Sequence, residues 1–278
     1  YWSKIIRIKS KRWTDEVFDD DVRYSGSRQS MLAGHKRDFS FYKTGSNHFN
    51  KHTDDLLISN LDEVRKNDCV FLDIGCGSGT TCVRIREKFS EWVILGSDSD
   101  SDLIQYCEER NQGISFFVDD VTAEPISCLG SVADITYSSG VISIFDSPIG
   151  YLEGLLSRTK IGGRVIIHGI FHPGDLDQIT RYKVVTDDSD IETLPSTLGW
   201  NIFSIKTVSR LLVEKFGITD LGIHKIVFPN NIDVPRRPED PIRSYTVKFN
   251  GDVFFMNDLN ILQHQFFITF RRPETFES

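Results

Sequence analysis

The stretch VFLDIGCGSGTT, Val70 to Thr81, constrains the fold of this chain more than any other. It reads as a buried strand that enters a turn holding Gly75, Gly77 and Gly79 and opens at once into a helix. Glycine permits positive φ, lets backbone approach a ligand closely and allows tight helix–strand packing. The helix start offers unpaired N–H groups and a positive dipole end to a carboxylate. A chain that begins its ordered pattern this way is committed to strands and helices in alternation.

The downstream pattern agrees. Trp92–Leu95, Ile114–Val118, Ala133–Tyr137 and Arg164–Ile170 read as further strands. Between them lie helices over Thr80–Phe89, Asp102–Arg110, with Ser99 or Ser101 as N-cap, and from Ser147-Pro148 onward, with Ile149, Leu152, Leu155 and Leu156 as its buried face. Gly162-Gly163 is expected to end that last unit. Strands and helices at this spacing indicate a parallel sheet covered on both faces. A helix from about Ile205 to Phe216, capped by Ser204 and stopped by Gly217, leads to strands at His224–Phe228 and Gln265–Phe270. Asn250-Gly251 between two apolar runs signals a hairpin, because both turn residues need positive φ.

The expected architecture is an α/β domain with a Rossmann-like, seven-stranded, mostly parallel sheet whose last strand is antiparallel. Residues 1–66, with helical spacing over Asp54–Val64, form an N-terminal cap. The domain proper runs over 67–278, with insertions at about 171–203 and a β-rich one at 229–264. The first insertion carries an acidic run at Asp187, Asp188, Asp190 and Glu192; loops of this length inside compact domains are usually functional or disordered.

Charge narrows the partners. With 32 basic and 40 acidic side chains the chain carries a formal charge of -8, so it repels a phosphate backbone and nucleic acid is not the expected partner. The basic stretch from Lys4 to Arg12 is read as a solvated leader. Five cysteines, Cys69, Cys76, Cys82, Cys107 and Cys128, with no C-x-x-C pair, argue against a disulfide framework or structural zinc and for reduced thiols in the cytoplasm. No apolar run approaches the roughly 20 residues of a membrane span. The chain begins at Tyr1, which leaves open whether it is cut from a longer polypeptide.

Asp73, Gly75, Gly77 and Gly79 give D-x-G-x-G-x-G rather than the dinucleotide G-x-G-x-x-G. This resembles motif I of the class I S-adenosylmethionine-dependent methyltransferases, over about Asp68 to Ile170. The resemblance implies S-adenosylmethionine as cofactor and S-adenosylhomocysteine as product. It implies that Asp73 serves the methionine ammonium, directly or through water, with Gly75, Cys76, Gly77 and Gly79 forming the loop. Asp98, with Ser99 behind it, would hold the ribose hydroxyls. Asp120 would accept from the adenine amino group, with Asp119 as the register alternative, while the Val121 N–H faces a ring nitrogen. Ser138 and Ser139 match the positions where, in the family, this segment lies beneath the methionine sulfur and the acceptor. The D/N-P-P-Y/F signature of many nucleic-acid amino-methyltransferases is lacking in ITYSSGVISIF.

Hydroxyl methylation needs positioning and removal of a proton. His168 and His172, at the end of strand five, are the candidate bases, set against a purely structural reading of each; His35, His48 and His52 are weaker alternatives. Trp200, Asn201, Arg236, Arg237, Arg243 and Tyr245 are expected to wall the acceptor site, while Tyr24, Arg28 and Tyr42 either close over the cofactor or form an aromatic mini-core. The runs WNIFSI and PIRSYTVKFNG resemble methyltransferases of bacterial surface-polysaccharide assembly. That implies a sugar or glycan hydroxyl as acceptor, in the company of other glycan-assembly domains, and polysaccharide biosynthesis as the setting. A natural-product or quinone methyltransferase and a non-catalytic cofactor-binding module are the rival readings. No metal-ligand constellation stands out, so a metal-independent reaction is expected.

Overall fold

The computed structural model describes residues 48–62, 68–183, 185, 193, 197–198, 200–236, 244–259 and 261–276. Of the expected features, most of the N-terminal cap, including Tyr24, Arg28, His35 and Tyr42, lies outside these residues, as do the acidic run of the first insertion, Arg237 and Arg243.

In chain order the elements are α1 (His48–Leu61), β1 (Val70–Ile74), α2 (Thr80–Lys88), β2 (Val93–Asp98), α3 (Ser101–Arg110), β3 (Ser115–Val118), β4 (Ala133–Ser139), α4 (Ile149–Arg158) and β5 (Thr159–His172). Two-residue strands β6 (Arg181–Tyr182), β7 (Thr197–Leu198) and β8 (Phe203–Ser204) follow. Then come α5 (Ile205–Arg210), prolonged by a wider turn over Leu211–Lys215, β9 (Gly222–Lys225), β10 (Tyr245–Phe249), β11 (Asp252–Met256), β12 (Leu262–Gln263) and β13 (Gln265–Arg271).

The main sheet has the order β3-β2-β1-β4-β5-β13-β9, with β8 joined to the tail of β5. Strands β1 to β5 are parallel, and β13 runs antiparallel to both β5 and β9. The strand order reverses between β1 and β4, which opens a crevice at their carboxyl ends. Strands β10, β11 and β12 form a separate antiparallel sheet within the C-terminal insertion. Its hairpin turns at Asn250 (φ 50°) and Gly251 (φ 87°), the left-handed pair that the dipeptide demands.

Alternation along the strands sorts side chains onto two faces. Phe71, Ile94, Phe116, Ile135, Ile166 and Phe267 face α1, α2 and α3, where Leu57, Leu61, Cys82, Ile85, Ile104 and Cys107 close a core. Leu72, Ile74, Val165, Ile167, Phe266 and Ile268 face α4 and α5, against Tyr151, Leu152, Leu155, Val208 and Leu212. This parity decides which polar groups can share a site.

Some local expectations are corrected. The cap of α3 is Asp100, whose carboxylate accepts from the Asp102 and Leu103 amides; unlike a serine, it brings a negative charge to the helix dipole. Gly162-Gly163 does not precede the strand: β5 starts at Thr159 and absorbs the pair in an irregularity against β4, with Gly162 at φ 73°. The sixth strand of the main sheet lies at Gly222–Lys225, and Phe228 instead bridges to Val253 of the small sheet.

Gly154 lets α4 lie directly on the chain after β3. A Cβ there would fall 1.6 Å from the Val121 carbonyl oxygen. Gly154→Ala is expected to lower stability by about 3 kcal/mol or more, read from the urea midpoint, whereas Gly162→Ala, with open space around it, should cost only about 1–2 kcal/mol for its left-handed backbone.

Candidate active site

The turn after β1 is the floor of the site. Gly75, Gly77 and Gly79 all have positive φ, at 74°, 56° and 74°. At Gly75 a Cβ would meet the Val141 Cγ2 at 2.3 Å, so the glycine turn and the chain leaving β4 touch backbone to side chain. The Gly75 and Cys76 amides donate to the Ser97 carbonyl at 2.7 and 2.9 Å. Gly79, left-handed, starts α2 without a side-chain cap.

Three acidic side chains stand along the carboxyl ends of β1, β2 and β3. Asp98 is buried, and its carboxylate accepts from the Gly77 amide at 3.0 Å and the Asp100 amide at 3.1 Å. Ser99 beside it is exposed. Beyond β3, the structure separates Asp119 from Asp120. Asp119 is buried on the α4 side and takes a two-pronged ion pair from Arg158, Nε to Oδ2 at 2.7 Å and Nη2 to Oδ1 at 2.8 Å. Asp120 is half-buried, and its Oδ1 accepts from the Thr122 amide and hydroxyl. Val121 is buried.

Arg158 was not among the residues the sequence singled out. It is fully buried and also donates to the carbonyls of Asp120, Val121 and Ala123. One guanidinium thus ties down the whole bend that presents Asp120. The sequence signal was an arginine ending an otherwise apolar helix, SRTK after GLL, which also reads as an ordinary cationic C-terminus.

Asp73 is the most unusual group. It is buried, it faces α1 and α2, and its carboxylate accepts a long hydrogen bond, 3.6 Å, from the Cys82 thiol. Burial first, then the Asp54 carboxylate on α1, pushes Asp73 up to about 8. Asp54 itself is braced by Arg84 at 3.0 Å and by the Thr81 hydroxyl at 3.1 Å. The Cys107 thiol, then burial, raises the Cys76 thiol well above its ordinary range, so it stays protonated.

At the end of β4, Ser138 and Ser139 part company. Ser138 is buried and donates to the Ile74 carbonyl at 2.9 Å, stitching β4 to β1. Ser139 is half-buried and lies 2.7 Å from His168 Nδ1. His168 sits within β5, 3% exposed, and its Nε2 is 2.7 Å from Gln265 Oε1; burial lowers it to about 4. His172 ends β5 half-buried, and its Nδ1 accepts from the Gly174 amide at 3.0 Å. With Nδ1 accepting, the ring hydrogen of a neutral imidazole lies on Nε2. Asn201, expected to wall an acceptor site, is instead fully buried: it bonds the Phe145 carbonyl, the Asp146 carboxylate and the Thr180 amide, pinning the chain after β4 to the first insertion. Trp200 is half-buried and lies 4.0 Å from where a Cβ on Gly140 would be. Arg236 is exposed and paired with Asp258.

A glycine turn on β1, acids at the ends of β2 and β3 and an antiparallel final strand together define a group-transfer domain of the methyltransferase class. A family model described as a methyltransferase domain matches residues 65–203, half of the chain, and the chain belongs to that family. Two curated relatives are tRNA U34 carboxymethyltransferases. The one from Saccharophagus degradans is 26% identical over 136 residues, 46% of this chain and 42% of the relative. The one from Hahella chejuensis is 22% identical over 245 residues, 80% of this chain and 73% of the relative. The chain thus spans less than half of the first relative's length. Among solved structures, a magnesium protoporphyrin IX methyltransferase from Synechocystis PCC 6803 with bound SAH shares the fold, at a TM-score of 0.52 and 13% identity, over 88% of this chain and 97% of that one.

Two outcomes follow from these contacts. The folded state keeps a proton on Asp73 that the unfolded chain releases above about pH 4. Asp73 therefore favours the fold at low pH, and this contribution is lost as pH rises from about 4 to about 8. Asp73→Asn should be more stable than the wild type in urea melts, by a margin that widens by a few kcal/mol across that window. Arg158→Met should cost about 3–5 kcal/mol by leaving Asp119 buried alone; adding Asp119→Leu should recover most of it.

Proposed function

We propose that this chain is an S-adenosylmethionine-dependent methyltransferase acting on a hydroxyl of a sugar or glycan. The observation that carries the cofactor reading is Asp73. A buried carboxylate with a thiol for a partner and no cation beside it among the described residues is costly, and the ammonium of the methionine moiety supplies the missing charge. Gly75, Gly77 and Gly79 leave room for the backbone to approach that moiety, and Cys76 lines the same loop. Asp98 is held by two amides with its remaining lone pairs suited to a pair of ribose hydroxyls. Asp120 and Val121, on the bend tied by Arg158, serve the adenine. Ser99 lies at the outer edge of the ribose position, and Ser138 supports the site from below by holding β4 to β1.

The cofactor contributes a methyl group on a positively charged sulfur, electrophilic enough to need little beyond an aligned nucleophile. The protein's task is then to position the acceptor and exclude water. His168, neutral and bonded at both nitrogens, and His172, with its hydrogen outward, are better suited to orienting an acceptor than to removing its proton. The ring of Trp200 beside Gly140 offers the flat apolar surface against which a sugar packs. The departure from D/N-P-P-Y/F at Ser138–Val141 supports oxygen over a base amino group.

A second reading, transfer to a tRNA, is favoured by the two curated relatives; the charge of -8 speaks against it. Isotope-labelled S-adenosylmethionine offered with nucleotide sugars, surface glycans, phenols, a tRNA pool and protein separates them. Label on a sugar or glycan is the expected result. Label on tRNA alone would replace the first reading with the second, and tight cofactor binding with no label on any acceptor would leave a binding module. Asp98→Ala should weaken cofactor binding about tenfold to a hundredfold by calorimetry.

A further inference from the structure

Four adjacent strands place a row of polar side chains on the face covered by α1, α2 and α3: Asp73 from β1, Tyr137 and Ser139 from β4, His168 from β5 and Gln265 from β13. Their same-face neighbours, Phe71, Ile135, Ile166 and Phe267, are core. Pairing lays the row edge to edge, with Asp73 beside Tyr137 and Ser139 beside His168. Polar groups at such positions are tolerated only when bonded, and these bonds run in a single direction. The Gln265 oxygen, 2.7 Å from His168 Nε2, can only accept, so Nε2 carries the ring hydrogen. Nδ1 is then a bare lone pair, and Ser139 must donate to it at 2.7 Å. Burial holds the imidazole neutral, at about 4, so this direction does not reverse near neutral pH. The buried Tyr137 hydroxyl is a further partner of Ser139. With its hydrogen engaged on Nδ1, Ser139 has only lone pairs left to offer.

Ser139 is the last residue of β4. Gly140 follows, its amide bonded to the His168 carbonyl, then Val141, whose methyl abuts Gly75, and Trp200 lies across from Gly140. The serine therefore stands at the lip between the glycine turn and the chain leaving β4.

Resting on the methyltransferase reading above, we infer that Ser139 is a specificity-determining residue of the acceptor site, with His168 and Gln265 as positioning residues. Its hydrogen is committed inward, so it presents only a lone pair and takes a nucleophile that brings its own hydrogen, a hydroxyl or an amine. An oxygen or nitrogen without hydrogen would meet lone pair against lone pair.

Two measurements test this on the full chain. In nitrogen-15-labelled protein with S-adenosylhomocysteine, a long-range proton–nitrogen correlation should show His168 with hydrogen on Nε2 and no titration between about pH 5.5 and 8. Hydrogen on Nδ1, or titration near the ordinary histidine range, would overturn the inference, because Ser139 would then aim its hydrogen outward. In transfer assays with the nucleotide sugar or tRNA that takes most label, Ser139→Ala and His168→Gln should raise acceptor KM about tenfold with S-adenosylhomocysteine affinity unchanged. His168→Asn, whose amide oxygen falls near the Nδ1 position, should restore it. An unchanged acceptor KM in Ser139→Ala sinks the proposal. Failure of the unaltered chain to bind S-adenosylhomocysteine sinks the cofactor reading instead, and the imidazole signals still judge the hydrogen-bond direction.

Discussion

Strands β1 and β4 run side by side, Phe71 to Ile74 against Ile135 to Ser138, and at their ends the chain must leave in opposite directions across the sheet. Each does so through a left-handed glycine, Gly75 and Gly140. The two exits are so close that the Val141 methyl occupies the space a side chain on residue 75 would need. Close packing is unforgiving of an added atom at such a point. The acids of β1, β2 and β3 lie on one side of this seam and the serine and histidines of β4 and β5 on the other.

Strand parity then divides neighbours that look alike. Asp119 and Asp120 are adjacent, as are Ser138 and Ser139, yet one of each pair is turned to α4 and consumed in structure: Asp119 by Arg158, Ser138 by the Ile74 carbonyl. Ser139 faces the side of α1, α2 and α3, with Asp73 and His168, and Asp120 bonds Thr122. A one-residue change of register would exchange their duties, which is why a buried ion pair as demanding as Arg158–Asp119 is informative. Its best-attested value is to select one arrangement among close competitors.

The same face holds an imbalance. Asp54 and Asp73 are both buried and near one another, and among the described residues only Asp54 has an arginine beside it. A protein that keeps a carboxyl under such strain gives up stability at a place where a ligand can return it, the usual relation between function and local cost.

Much of this was legible in the residues. The glycine turn, the alternation of strands and helices, the Asn250-Gly251 hairpin and the Ser204 cap follow from local rules of φ and hydrogen bonding, because each needs only a few consecutive residues. Asp98 stood out because a strand end followed by acids and serines is short-range information. Arg158 was missed and Asn201 was assigned to a pocket wall, because their partners lie 39 and 56 positions away. Burial and bond direction are set by such distant neighbours. The sequence by itself determined that the chain folds as a strand–turn–helix sheet with acids at its strand ends. Only the tertiary structure decided which acid and which serine are consumed in structural bonds and which are not, since that depends on register and on groups brought together across the sheet.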